Sequence, residues 1–174
     1  MADSVAPGAG TSIDQKTFWR AIGQRAVGAA VVTAADAEGP AGFFALSATH
    51  LSADPPLLMV SIDARTSALS KVRAARNFAV NYLPEDAGDL VDIFSGKTAL
   101  QGADRFQPGR WTVLATGAPV LIAAVGALDC VLEEALERNR AVIAIGRLVD
   151  FASHPERQPL ISFRGRLRGL APAG

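Results

Sequence analysis

One cysteine in 174 residues, Cys130, has no partner for an internal disulfide, which excludes a small secreted scaffold stapled by bridges. Two histidines, His50 and His154, are too few for a zinc site built from Cys and His, and no metal site is expected. A basic excess is also missing. Seventeen Lys and Arg balance seventeen Asp and Glu, which argues against a nucleic-acid binder. No apolar run approaches the ~20 residues of a membrane span. Residues 1–12 carry no Lys or Arg and no apolar stretch, so they do not read as a signal peptide. The expectation is a cytoplasmic protein that binds neither membrane nor nucleic acid. Glycine-rich phosphate loops (GxGxxG, GxxxxGK[ST]) and the GxSxG nucleophile elbow are absent as well.

What is present is core material: 49% of the residues are apolar, enough for one domain, read here as 13–170 behind a small-residue tail at 1–12. Asp14 can cap a helix carrying Phe18, Trp19, Ile22 and Arg25 at helical spacing. Ala29–Ala35 is apolar and β-branched at its centre, a buried strand. The turn-forming Asp36–Pro40 leads to a second strand through Gly42–Leu46. Asp54–Pro55–Pro56 must be extended, and Leu57–Ile62 follows as a third strand. Ser67 can cap a short helix, Ala68–Ala75. Asn77–Leu83 alternates Phe78, Val80 and Tyr82 against Asn77, Ala79 and Asn81, the period of a strand. Pro84–Glu85–Asp86 is read as opening a helix with Leu90, Val91 and Phe94 inward. Residues 95–118 form a long loop with Trp111 as its anchor. Ala124–Leu136 is ambiguous between helix and strand; with Arg140–Phe151 it forms a hairpin tipped by Glu137–Arg138–Asn139. Leu160–Leu167 is a last strand. Strands joined by short connections favour antiparallel pairing, so the fold is mainly β, a small barrel with peripheral helices.

Cys130, mid-strand, reads as a core residue, His154 as a surface residue, and Glu133, Glu134 and Glu137 as a solvated face. Two segments resist such bland readings. Gly42–Ser52 places Ser47, Thr49, His50 and Ser52 after an apolar strand, where small residues permit close approach of a flat, polar-edged heterocycle. Asp63–Ser67 joins a strand to a helix start, and its backbone donors with Arg65, Thr66 and Ser67 suit a phosphate. The competing reading is an ordinary cap at Ser67 and a solvated Arg65. Both segments flank one strand, which makes a nucleotide-like ligand plausible.

Three motifs come first in the chain: Gly28–Ala29–Ala30–Val31–Val32–Thr33, Gly42–Phe43–Phe44–Ala45–Leu46–Ser47 and Leu51–Ser52–Ala53–Asp54–Pro55–Pro56–Leu57. Three more follow, Phe78–Ala79–Val80–Asn81–Tyr82–Leu83, Thr116–Gly117–Ala118–Pro119–Val120–Leu121 and Phe163–Arg164–Gly165–Arg166–Leu167. In this order they resemble the flavin reductase-like family of FMN-binding split barrels. The resemblance implies a six-stranded antiparallel split barrel and a homodimer with FMN (or FAD) at its interface. It further implies NADH or NADPH as co-substrate and a partner monooxygenase that takes the reduced flavin. Carried over, Ala45, Leu46, Ser47, Ala48 and His50 meet the ring and ribityl chain, and Asp63, Arg65, Thr66 and Ser67 lie nearer the phosphate.

The sequence departs from the family pattern at four places. Phe44 stands for a Thr, Leu46 for an Asn and His50 for a Ser. The family's Gly-Asp-His hairpin reads Arg138–Asn139–Arg140, so Asn139 takes the place of the His near the nicotinamide, and Arg138 and Arg140 are placed to meet dinucleotide phosphates. The expectation is therefore an NAD(P)H-dependent flavin oxidoreductase with Asn139 in the catalytic position. The alternatives are a barrel that binds flavin or another planar ligand without turnover, and a co-opted pocket running a different reaction.

Overall fold

The computed structural model describes residues 12–170, so the expected tail at 1–11 lies outside the described residues. The carboxylate of Asp14 accepts the Thr17 N–H at 2.7 Å and starts α1 (Gln15–Ile22). Strands β1 (Val27–Gly28), β2 (Ala30–Asp36), β3 (Gly39–Ala45), β4 (Thr49–Ala53) and β5 (Pro56–Asp63) precede α2 (Ala68–Ala75) and β6 (Asn77–Tyr82). Then come α3 (Gly88–Phe94), a 3-10 turn (Gly102–Arg105), β7 (Trp111–Val113), β8 (Pro119–Leu121), β9 (Gly126–Arg138), β10 (Ala141–Ser153), β11 (Ile161–Phe163) and β12 (Arg166–Arg168). No helix among the described residues is long and apolar enough to cross a membrane.

The main sheet runs β3-β2-β6-β9-β10-β5-β4, and its ladders are antiparallel. Strands β3 and β4 follow each other in the chain yet form its two opposite edges. The link between them, Leu46–Ser47–Ala48, spans about 14 Å at most. Seven strands laid flat would separate those edges by about 29 Å. The sheet must therefore curl until the edges face each other, which makes an open, split barrel. The six long strands are the expected ones; the seventh, β4, is a short edge strand that pairs Thr49 with Met59 and Ala53 with Pro56. Periodicity could not show it because β4 is half-exposed on both faces.

The barrel interior holds Ala30, Val32, Leu58, Val60, Ile62, Phe78, Val80, Leu132, Val142 and Ala144, with Leu69 and Val72 of α2 closing it. A second core lies on the other face of β2 and β6, where Val31, Ala79 and Leu83 pack against Leu90, Val91 and Phe94 of α3 and Leu121 of β8. Burial on both faces explains why β2 reads as a continuous apolar run. It also buries the polar phase of β6, Asn77 and Asn81, along with the apolar one. Asn81 is fully buried, with its amide donating to Val31 O (3.1 Å) and Thr33 Oγ1 (3.2 Å) and its Oδ1 accepting Leu121 N–H (2.8 Å). Asp129, also fully buried, accepts the Thr116 N–H at 2.7 Å and the Thr116 hydroxyl. These bonds hold the 116–121 segment against the barrel. Gly146 is required by contact, since a Cβ there would stand 2.5 Å from the Phe78 ring.

Four local readings need correction. The backbone after Leu83 is still paired, Glu85 N–H to Gln158 O at 2.9 Å, so the helix starts at Gly88 and not at Pro84. Leu160–Leu167 is a hairpin, β11 against β12, because Arg164 (φ 51°) and Gly165 (φ 72°) turn the chain back. The ambiguous segment is wholly strand, and its hairpin turns at Asn139–Arg140. The 95–118 loop contains β7 and the 3-10 turn, and Trp111 anchors it against Phe94 and Phe106 at ring separations of 5.6 and 5.0 Å. Helix α1 forms as expected, but Phe18, Trp19 and Ile22 stay exposed. Cys130 is buried and its thiol is pushed up to about 12, by burial first and then by Asp129, so it is an inert core residue.

Helix α2 is tied to the β2–β3 turn by Lys71, whose ammonium lies 2.6 Å from Asp36 and 2.9 Å from Glu38. The Lys71 bond and the Glu38 N–H hold the Asp36 carboxyl below the usual carboxylate range. A depressed carboxyl adds stability above its unfolded value of about 4 and loses it as pH falls through the folded value. Asp36→Asn should therefore lower the urea midpoint at pH 7, with the gap to wild type closing by pH 3. Urea titrations at pH 7, 5 and 3 check this.

Candidate functional site

The link that crosses the split is pinned by one side chain. Ser47 Oγ donates to Ser61 O (3.0 Å) and accepts Ser61 N–H (3.3 Å), clasping the β3–β4 connection onto β5. Ser61 stands two residues before Asp63, so both expected segments meet along one strand. The side chains of residues 45–48 mostly turn inward. Ala45 and Ala48 pack with the barrel core, and Phe44 and Leu46 with the α3 core. What this segment can offer a ligand is its backbone. His50 pairs with Leu58 on β5, about 16 Å along the strand from Asp63, so it stands apart from the phosphate segment.

At the other end of β5, the Asp63 carboxylate accepts from Arg65 N–H (2.9 Å), Nε (3.0 Å) and Nη2 (2.8 Å). Arg65, helped at longer range by Arg140, holds this carboxyl far below the usual carboxylate range. Ala64 N–H donates to Arg140 O at 2.9 Å, which brings the β9–β10 hairpin tip beside the segment. Asp63, Arg65, Thr66, Ser67 and Arg140 are thus together. Asn139 is exposed at that tip with φ 54°, a left-handed position that Asn tolerates better than most residues, so its backbone alone accounts for its type. Arg138, also exposed, donates to Glu137 O at 3.0 Å.

Ser67 does not cap α2. Its backbone is already helical and its side chain makes no cap bond. Among the described residues, the N–H groups of Ser67 and Ala68 meet no acceptor, as first-turn donors do when nothing caps them. Beside this helix start is a depression of about 610 Å³ lined by Ala64, Thr66, Ser67, Leu69, Ser70, Arg73 and Ala74. Its lining holds the Thr66 and Ser67 hydroxyls, a Ser70 hydroxyl that donates to Ser67 O (2.8 Å), a guanidinium and no carboxylate, a set suited to a phosphate. Ser70 and Arg73 were not in the sequence expectation. The signal for them is that 66, 70 and 73 follow at helical spacing on one face, which has meaning once the start of α2 is known to be uncapped.

Residues 22–171 match the family model described as the flavin reductase like domain. The chain belongs to this family. Among its relatives, the FMN reductase (NADH) RutF of Agrobacterium fabrum is 37% identical over 146 residues, 83% of each chain. The reductase subunit HsaB of a flavin-dependent monooxygenase from Rhodococcus jostii is 27% identical over 164 residues, covering 94% of this chain and 82% of HsaB. The solved NADH:FAD oxidoreductase SgcE6 of Streptomyces globisporus superposes with a TM-score of 0.83 at 26% identity over 99% of both chains. The architecture is accordingly the mainly β, antiparallel split barrel of the flavin reductases, and the chain is a flavin reductase family oxidoreductase.

If Ser47 is the clasp, its loss loosens the β3–β4 link without touching either core. Ser47→Ala should cost about 0.5–1.5 kcal/mol and speed amide hydrogen exchange at Ser61 while leaving Val60 and Ile62 protected. Urea unfolding and residue-resolved exchange measure the two effects.

Proposed function

We propose that this protein is an NAD(P)H-dependent flavin reductase that hands reduced flavin to a separate monooxygenase. The observation that carries the reading is the uncapped start of α2 at a depression whose lining includes Thr66, Ser67 and Ser70 and no carboxylate. The named relatives, an FMN reductase (NADH) and a monooxygenase reductase subunit, support it.

The residues present fit the flavin. The Thr66 and Ser67 hydroxyls and the Ser67 and Ala68 N–H groups would hold its phosphate. The backbone of Ala45–Ala48, fixed by the Ser47 clasp, would line the ring. Bound flavin supplies hydride acceptance from the nicotinamide and later electron delivery, so the protein's task is orientation rather than acid–base chemistry. Arg65 neutralises Asp63, which removes a charge that would repel the phosphate. Arg138 and Arg140 at the hairpin tip would attract the pyrophosphate of the nicotinamide nucleotide, while Asn139 shapes the turn between them and orients the ring.

A homodimer completes this reading. Leu57 and Met59 of β5 and Ile143 and Ile145 of β10 share the outer face of the sheet and are only half-buried. An isologous pairing would cover it.

Under anaerobic conditions, FMN-loaded protein should be bleached by NADH; a yellow protein that NADH leaves unchanged would favour the binding module without turnover. The double variant Thr66→Ala, Ser67→Ala should weaken FMN at least tenfold, each charged hydrogen bond being worth roughly 1.5–3 kcal/mol gross. Riboflavin, which lacks the phosphate, should change little. Equal weakening of both ligands in fluorescence titrations would assign these hydroxyls to the fold instead.

A further inference from the structure

The depression does not end at Ser67. Its floor continues along α2 through Ser70 to Arg73 and Ala74. At 1.5 Å per residue, Arg73 lies about 9 Å beyond Ser67 along the helix. A phosphate seated at Thr66 and Ser67 therefore leaves the Ser70–Ala74 face for whatever is attached beyond it. A flavin mononucleotide stops at that phosphate, while a dinucleotide continues with a second phosphate and an adenosine.

Arg73 is not free to receive that second phosphate. Its Nη2 lies 2.7 Å from Glu137 Oε1, and Glu137 belongs to β9 just before the hairpin tip. The pair ties α2 to β9 at the far end of the depression. It compensates the guanidinium in the lining, so a phosphate arriving beyond Ser70 would have to displace Glu137 from Arg73.

We propose that the Arg73–Glu137 pair makes this site select a flavin mononucleotide over a flavin dinucleotide. The inference rests on the depression being the flavin phosphate site. Glu137 acts as a specificity-determining residue: it occupies the guanidinium that a distal phosphate would otherwise meet, and a mononucleotide, which ends at Thr66 and Ser67, does not reach that far. Both side chains reach water, so the discrimination is a moderate, salt-sensitive one.

Dissociation constants for riboflavin, FMN and FAD, measured by fluorescence titration on the full chain, test this. Wild type should bind FMN more tightly than FAD. Glu137→Gln should tighten FAD about three- to tenfold, the scale of one exposed charge near a phosphate, with FMN changing less than twofold. That gain should shrink at high salt and should vanish in Arg73→Ala, Glu137→Gln. The pair is exposed, so unfolding midpoints of the variants should match wild type, which separates selectivity from misfolding. Wild type that binds FAD as tightly as FMN, or Glu137→Gln that shifts both equally, overturns the inference alone. Wild type that binds neither flavin overturns the phosphate-site reading and this inference with it.

Discussion

The three-residue passage from β3 to β4 is the constraint on which the rest of this molecule depends. Because Leu46–Ser47–Ala48 must join opposite edges of a seven-stranded sheet, the sheet has to curl, and the curl creates the enclosed interior around Phe78, Val60 and Ile62. Ser47 then bonds to both backbone groups of Ser61, on a stretch of β5 that the short β4 does not reach. Closure and site formation are the same event, because the passage that closes the barrel is also the segment expected to line the flavin ring.

Curling leaves the outer face of β2 and β6 to be covered, and the chain covers it with α3 and the 116–121 segment. That segment pairs only through β8 and only with β7, so several of its backbone groups reach the core without a strand partner. Asn81, Thr33 and Asp129 supply the missing partners; buried polar groups of this kind stabilise only when every member is bonded. The result is a barrel wall fixed from both sides, stiff enough to hold a loop-built site in place.

Electrostatics at the site follows a pattern of neutralised acids. Asp63 is held by Arg65, Asp36 by Lys71 and Glu137 by Arg73, each pair linking α2 or its approach to a strand or turn. The first would clear negative charge from the proposed phosphate position, and the second orients the helix. The third sits furthest along α2, where in the proposed reading only a longer ligand would meet it.

Composition, strand-forming runs and the order of motifs were enough by themselves to establish a mainly β antiparallel barrel, a cap at Asp14, an inert Cys130 and membership among the flavin reductases. These properties depend on local preference and on which side chains avoid water, and a linear pattern records both. The tertiary structure alone decided that Asn81 is buried, that Ser67 is uncapped, that residues 45–48 turn their side chains inward, and that Arg73 faces Glu137. Each depends on what another element places opposite, as far as 64 residues away for Arg73 and Glu137. A sequence period shows that a residue faces one side of its own strand or helix. Whether that side meets water, a second core or a countercharge is settled only when the sheet has closed.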